Sequence, residues 1–246
     1  MNGFRKQIVM GGVLIAISAG LYLLQIRIFH AERDTFFYLF QELAFVPIQL
    51  LIVTVIVDQV LRIRDKLAMM NKLNMVIGTF FSDVGTELLR SFSGFDHHAG
   101  RMKGALLVSK DWTDQQYALA VKDLQRYDYR IDVRKSDLAA LKQFLAGKRD
   151  FLLRLLENQN LLEHETFTEL LWAVFHLTEE LEAREDVLLL STPDGEHIAG
   201  DIRRAYVILI AEWLAYMKHL KNEYPYLFSL AVRTNPFDAH ASATIK

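Results

Sequence analysis

The chain has 246 residues, 52% of them hydrophobic, no cysteine, and 28 basic against 30 acidic side chains for a formal net charge of −2. That balance leaves no overall basic footprint for nucleic acid, and the missing cysteine excludes disulfides, Cys-ligated zinc and thiol catalysis. The hydrophobic share is only slightly above the ~45–50% of ordinary globular domains, so the long apolar runs of residues 8–57 are a local excess.

Ile8 to Ile26 is the first of these runs, 19 residues without a charge, long enough for a membrane span. Arg5 and Lys6 precede it as in a secretory signal, and Ser18-Ala19-Gly20 offers small residues at cleavage-site spacing. The apolar run continues past that point through Leu21, Leu23, Leu24 and Ile26, so the segment is expected to stay as an anchor. Gly12, Ala16 and Gly20 recur at four-residue intervals on one face. Small residues at that spacing let helix backbones approach closely, here against a second span or a neighbouring copy.

Residues 27–35 form a short polar tip, which forces a hairpin. Phe36 to Val57 then gives a second span of 22 residues, sufficient for a ~30 Å hydrocarbon core at ~1.5 Å per residue. Arg5 and Lys6 before the first span, and Arg62, Arg64, Lys66 and Lys72 after the second, outnumber Arg27 and Arg33 in the tip. By the positive-inside rule both termini are cytoplasmic, which places the chain in a bacterial-style inner (cytoplasmic) membrane as a two-pass protein. Phe36, Phe37, Tyr38 and Phe40 suit the outer interface. Glu42, about 9 Å in from Phe36, and Gln49 near mid-span are the polar groups at membrane depth. Glu42 reads either as an ion or proton site paired with Arg27, or as an interfacial residue. Gln49 and Pro47 mark either a packed interior face or a mild kink.

No Pro or Gly interrupts the chain from Asp58 to Ile77, and Val60, Ile63, Leu67, Met70, Asn74, Ile77, Phe81, Val84 and Leu88 keep a heptad spacing. The pattern predicts that the second span continues directly into a juxtamembrane helix over 59–92. A second apolar row, Met69, Leu73, Val76 and Phe80, widens the stripe, so the helix suits an oligomeric coil or the interior of its own bundle. Asn74 either fixes register between identical helices or is satisfied by a neighbouring helix. Gly78 and Gly85 share a face and permit a close crossing.

Residues 93–111 carry three glycines and read as a loop with a short element at 105–108. Thr113 with Gln116 is a capping box opening a helix to about Arg126. Ile131–Arg134 reads as extended. Ser136 is expected to cap a helix through about Glu157, and Thr166 with Glu169 to form a second capping box for a helix carrying Phe167, Leu170, Val174, Leu177, Leu181 and Leu188 on one stripe. Ser191-Thr192-Pro193-Asp194-Gly195 resets the chain, with Pro193 at the first position of a long helix to about Asn222, expected to be buried through Ile198, Ile202, Leu209, Trp213, Tyr216 and Leu220. The closing YPYLFSLAV segment is too short to span and is expected to dock on the bundle. Residues 238–246 read as a disordered tail. Asn235-Pro236-Phe237 resembles a tripeptide read by some trafficking adaptors, a match too short to assign a partner.

Chemistry is sparse. His97 and His98 follow Asp96 in the glycine-bearing loop, but a closed metal site needs about four converging ligands. His176 lies near Glu179 and Glu180, and Glu212 near His219. Bundles build di-metal sites from a Glu-x-x-His spacing on each of two helices; here the order is reversed and occurs once. His97, His98, His176 and Glu180 are therefore the weakest of candidates, and no metal, cofactor or catalytic set is expected. Glu163–Asp186 is acidic and Lys122–Arg154 basic, either a docking face for a basic partner or two helices whose faces complement each other. No phosphate-binding loop, nucleophile elbow, zincin or kinase motif occurs.

These observations predict an all-α protein: a transmembrane hairpin over 1–58, a juxtamembrane helix over 59–92 and a cytoplasmic helical bundle over 93–237. The expected role is a non-enzymatic, self-associating, membrane-anchored scaffold, adaptor or sensor that presents its bundle to a cytosolic protein. The packing residues are Gly12, Ala16, Gly20, Ile63, Leu67, Met70, Asn74, Ile77, Phe81 and Val84. The alternatives are a homo-oligomeric channel or proton pathway through Glu42 and Gln49, and a metal-dependent bundle enzyme.

Overall fold

The computed structural model describes residues 2–29 and 32–244. Over these residues the chain is all-α, with no strand and one isolated antiparallel bridge, Asp96 to Ile131. It divides into two compact units, Met1–Lys66 and Leu67–Lys246.

The first unit holds α1 (Asn2–Phe29) and the larger part of α2 (Glu32–Phe80). Within α2, Phe36–Lys66 is a 31-residue exposed stretch whose most apolar 18-residue window has a mean hydropathy of 2.1 and no buried residue. Among the described residues it is the one helix long and apolar enough to cross a membrane; α1 shows a shorter apolar stretch, Ile15–Ile28. The start of the expected first span, with Arg5 and Lys6, falls on side chains outside the described residues. Pro47 lacks the N–H that would bond to the carbonyl of Leu43, yet α2 passes through it without a break. Tyr22 Oη donates to Glu42 Oε2 at 2.5 Å. Glu42 thus takes its hydrogen bond from a phenol on α1, and the expected pairing with Arg27 is not made. Among the described residues a Cβ on Gly12 or Gly20 would meet nothing within 4 Å, so the small-residue face of α1 is open at these two positions.

The second unit is built on α8 (Thr192–Glu223), against which α3 (Thr86–Phe95), α5 (Asp114–Gln125), α7 (Glu165–Glu182) and α9 (Pro225–Arg233) all pack. Its inward stripe, Ile198, Ile202, Ala205, Tyr206, Leu209, Trp213, Met217 and Leu220, has helical spacing and is fully or nearly fully buried. Ser191 caps the helix by accepting from the Asp194 N–H at 3.4 Å, and Pro193 sits in its first turn. Tyr224, preceding Pro225, leaves the helical region at φ −135° and ψ 66° and ends it. α6 (Leu138–Leu156) packs on the other side of α7. There the acidic and basic segments meet: Arg149 pairs with Glu182 at 3.2 Å and lies over the Phe175 ring. The two faces complement each other within one chain.

Several local expectations change. The α6 cap is Asp137, which accepts from the Ala140 N–H at 2.8 Å, not Ser136. The α7 cap is His164, whose Nδ1 accepts from Phe167 N–H, because the Thr166 hydroxyl is engaged by Glu212. The capping box at Thr113 and Gln116 is formed, with both of its bonds. Residues read as a loop are helical in α3 and α4 (Ala99–Ala105), held by buried Phe95 and Met102. The 131–134 segment contributes only the bridge at Ile131. Asn235 and Phe237 are buried, Asn235 donating to the Leu106 carbonyl and Phe237 lying edge-on to Trp213, so the Asn-Pro-Phe tripeptide is not displayed. In the tail, Ser242 N–H bonds to the Arg233 carbonyl, and residues 245 and 246 lie outside the described residues.

The heptad stripe is taken up inside the subunit from Met70 onward. Met70 packs against the core, and Ile77, Phe81, Val84 and Leu88 are buried. Asn74 bonds to His219 at 3.2 Å, which is the neighbouring-helix solution. Burial pushes the His219 imidazole below its usual pKa, favouring the neutral ring that such a bond requires. Ile63 is exposed in the first unit, and the Leu67 side chain lies outside the described residues. Between α2 and α3 the helix widens into one π turn, Phe81–Gly85. The extra residue lets two adjacent rings face inward, Phe80 edge-on to Phe167 and Phe81 stacked on Tyr216. A Cβ on Gly85 would lie 2.6 Å from Phe81 Cδ1 and 2.9 Å from Phe80 Cε1. Both rings are boxed in, so Gly85→Ala is expected to destabilise by about 1–3 kcal/mol through overpacking. Urea unfolding measures it, and an unchanged midpoint contradicts the packing described.

Candidate functional site

The antiparallel turn from α7 into α8 brings four chemistry-bearing side chains together. On α7, the buried row Leu170, Val174, Leu177 and Leu181 leaves His176 and Glu180, one turn apart, at its edge. On α8, burial of Ile198, Ile202 and Ala205 leaves His197 and Asp201, again one turn apart, at the edge facing α7. Residues 176 with 201, and 180 with 197, lie symmetrically about the intervening turn. The packed hairpin therefore apposes them.

His176 Nε2 lies 3.7 Å from Asp201 Oδ2, and His197 Nε2 lies 3.5 Å from the same oxygen. Ligand atoms of these three residues are all within 4.8 Å of one another. Glu180 closes the other side, 3.8 Å from His176 Nε2 and 3.5 Å from His197 Nε2. These separations exceed the ~2.7–3.2 Å of an N–H···O hydrogen bond. They approach the edge of a coordination tetrahedron, about 3.3–3.4 Å for bonds of ~2.0–2.1 Å.

The carboxylates are held by guanidinium groups. Arg204 pairs with Asp201 Oδ1 at 3.2 Å, leaving Oδ2 toward the imidazoles. Asp201 is 3% exposed, and Oδ2 has no hydrogen-bond partner among the described residues. A buried acceptor left so costs on the order of 1–3 kcal/mol, more when charged. Arg184 donates to Glu180 Oε2 at 2.7 Å and to both oxygens of Asp194. Lys142 Nζ caps the Arg184 carbonyl. The Arg184 guanidinium holds the Asp194 and Glu180 carboxyls below the usual carboxylate range.

Asp194 carries a pH signature. A carboxyl whose folded pKa is depressed contributes stability above its unfolded value, about 3.9, and loses it as pH falls through the folded value. Arg184→Met removes that contribution. Its thermal midpoint is expected below wild type at pH 7, with the gap closing below about pH 4. A gap independent of pH contradicts the ion-pair account.

Among the described residues the remaining histidines do not converge. His97 Nε2 faces Asp132 Oδ2 at 3.3 Å, whereas His98 Nδ1 faces the Asp128 carbonyl at 3.4 Å. Glu212 accepts from Thr166 at 2.5 Å and lies 4.0 Å from His164, so it is not the partner of His219. An open groove of about 1110 Å³ runs beside residues 131–139 and the start of α8. Its cations are already engaged, Arg134 by Asp132 and Lys135 by the Asp96 carbonyl. Asp96 itself is fully buried and accepts from Tyr127 at 2.6 Å and from the His98 N–H at 2.9 Å. Burial, then this bond, pushes the Tyr127 phenol well above its usual pKa, so it serves as a donor. Asp96→Leu is expected to destabilise by about 1–3 kcal/mol, since it strands that phenol beside Tyr129. Urea unfolding of Asp96→Leu with and without Tyr127→Phe tests this: the second change should restore part of the loss.

Of the metal candidates read from the sequence, the structure joins His176 and Glu180 and leaves His97 and His98 apart. His197 and Asp201 escaped notice, although the sequence repeats His-x-x-x-carboxylate at both places.

Comparison with known proteins gives a two-part match. Residues 2–61 match the family model described as the N-terminal helical domain of MJ1433, and residues 69–233 the model of the C-terminal helical domain of the uncharacterized protein MJ1433. The uncharacterized protein MJ1433 of Methanocaldococcus jannaschii is 45% identical over 238 residues, covering 97% of this chain and 96% of the relative. The gap between the two matches brackets the structural division at Lys66. No solved structure matches.

Proposed function

Since the chain belongs to the MJ1433 family and carries both of its helical domains in order, we propose that it is a membrane-anchored helical module. In this reading the first unit is a two-span hairpin in the cytoplasmic membrane and the second unit is held on the cytoplasmic side for a protein partner. The carrying observation is Phe36–Lys66, exposed along its whole length, in which residues 36–57 carry the single charge of Glu42. Side chains such as Phe40, 75% exposed, and Leu51, 65% exposed, form a patch far beyond what water-soluble surfaces tolerate. At ~1.5 Å per residue the 22 residues 36–57 reach about 33 Å, enough for the ~30 Å core. The Tyr22–Glu42 bond supports a hairpin, because it satisfies a carboxyl at membrane depth from the other helix. It also engages the group that a channel or proton pathway would need.

Self-association in this reading falls to the Gly12, Ala16 and Gly20 face of α1, since the heptad stripe beyond Met70 is occupied by the subunit itself. The test is fractionation and topology. The full chain should resist carbonate extraction and require detergent, and a C-terminal tag should be reachable by protease only after the membrane is opened. Release by carbonate, or a tag digested on intact cells, overturns the reading. Mass measurement in detergent should give an oligomer that Gly12→Leu with Gly20→Leu dissociates; a monomeric wild type removes the self-association part alone.

A further inference from the structure

We infer that His176, His197 and Asp201 form a binding site for one divalent transition-metal ion of the zinc or ferrous type, with Glu180 as its fourth wall. The donor set is two imidazoles and one carboxylate, which suits borderline cations and not magnesium or calcium. Three features beyond mere proximity support it. The N···O separations of 3.5–3.7 Å around Asp201 Oδ2 are too long for hydrogen bonds and close to the edges of a coordination polyhedron. Asp201 Oδ2 is buried, lacks a hydrogen-bond partner among the described residues and lies within 3.7 Å of both imidazoles, so an ion there would satisfy it. Arg204 fixes the other oxygen of Asp201, and Arg184 holds Glu180 through Oε2, the oxygen nearer His197. Such outer partners orient metal-binding carboxylates. A bare cluster of acids has none of this arrangement.

Access and openness follow from the same geometry. The His176 and His197 side chains are 45% and 53% exposed while Asp201 is 3% exposed. The ion would enter over the imidazoles and rest on the buried oxygen. Three ligands leave at least one coordination position for water or a further ligand, unlike closed four-ligand structural zinc. The ion would also tie the C-terminal half of α7 to the first turns of α8, ligands coming from both helices.

The experiment uses the full chain in detergent, its purification tag removed, stripped with a chelator and titrated with zinc chloride against a chromophoric chelator. A parallel anaerobic series uses ferrous ion, and magnesium chloride serves as the control. One equivalent of zinc or ferrous ion should bind, and the thermal midpoint should rise with it. His176→Ala with His197→Ala, both exposed and expected to fold, should weaken binding at least tenfold and abolish the rise in midpoint. Asp201→Asn should also weaken binding at least tenfold, while His97→Ala with His98→Ala should leave it unchanged. Absence of stoichiometric binding by both ions overturns the inference, as does binding that persists in the double histidine variant. Neither outcome bears on membrane anchoring, which the extraction test decides separately.

Discussion

Replacing Phe167 by alanine is expected to remove about 3–5 kcal/mol of stability from the second unit. Phe167 is fully buried near the start of α7, with its ring 5.3 Å from Phe80 at 88° and 6.1 Å from His164. Edge-on aromatic pairs contribute about 0.5–1.5 kcal/mol beyond burial alone. Phe80 in turn touches Phe81, which stacks on Tyr216 of α8. The cavity therefore opens where α2, its π turn and α7 meet, and rigid rings collapse into it poorly. Against a total stability of about 5–15 kcal/mol, this is a large loss, roughly 6–20 °C in melting temperature at ~2–4 °C per kcal/mol. Trp172 is the control: it is larger than Phe167 but 57% exposed, so Trp172→Ala should cost under about 1 kcal/mol. Circular-dichroism melts of the two variants decide it, and equal losses would mean the aromatic cluster is not a keystone.

The helical framework was largely legible because burial imposes period. The stripes of α7 and α8 read directly, as did Ser191 with Pro193 and the Thr113–Gln116 box, since these are local chemistry; Leu188, expected on the α7 stripe, lies beyond the end of that helix and is exposed. Caps decided by tertiary contacts did not read. Thr166 looks like a cap until Glu212 takes its hydroxyl, and the imidazole of His164 then does the work. Gly94, Gly100 and Gly104 suggested a loop, yet Phe95 and Met102 bury enough surface to hold helix there. Helix propensity is a weak prior that packing overrides. The heptad stripe was visible, but not whose surface it meets; that depended on α8 supplying His219 and Tyr216. The metal candidate was half legible for a related reason. One His-x-x-x-Glu turn is ordinary helix decoration, and a His-x-x-x-Asp turn gains meaning only when the hairpin folds the two together.

A chain beginning at Leu67 is expected to leave the membrane fraction entirely and still melt cooperatively. Among the described residues the first buried one is Leu73, so removing residues 1–66 deletes nothing from the hydrophobic core. The cut falls at the division between the two compact units and between the two family matches. Its cost is one uncapped helix start, on the order of 1 kcal/mol, or a shift of roughly 2–4 °C for a domain of this size. The apolar surface lost is of another order. Phe36–Lys66 alone presents 31 residues without burial, and each large apolar side chain gains about 1.5–3 kcal/mol on leaving water. Partitioning should thus change from complete retention to complete release while the melting midpoint barely moves. Ultracentrifugation of lysed cells, followed by a thermal melt of the soluble fraction, measures both. If the shortened chain still pellets with membranes, the second unit binds the bilayer by its own surface, for which the exposed Tyr226, Leu227 and Leu230 on α9 are the first residues to change. If it is released but unfolded, the first unit supports the second in a way that burial does not predict.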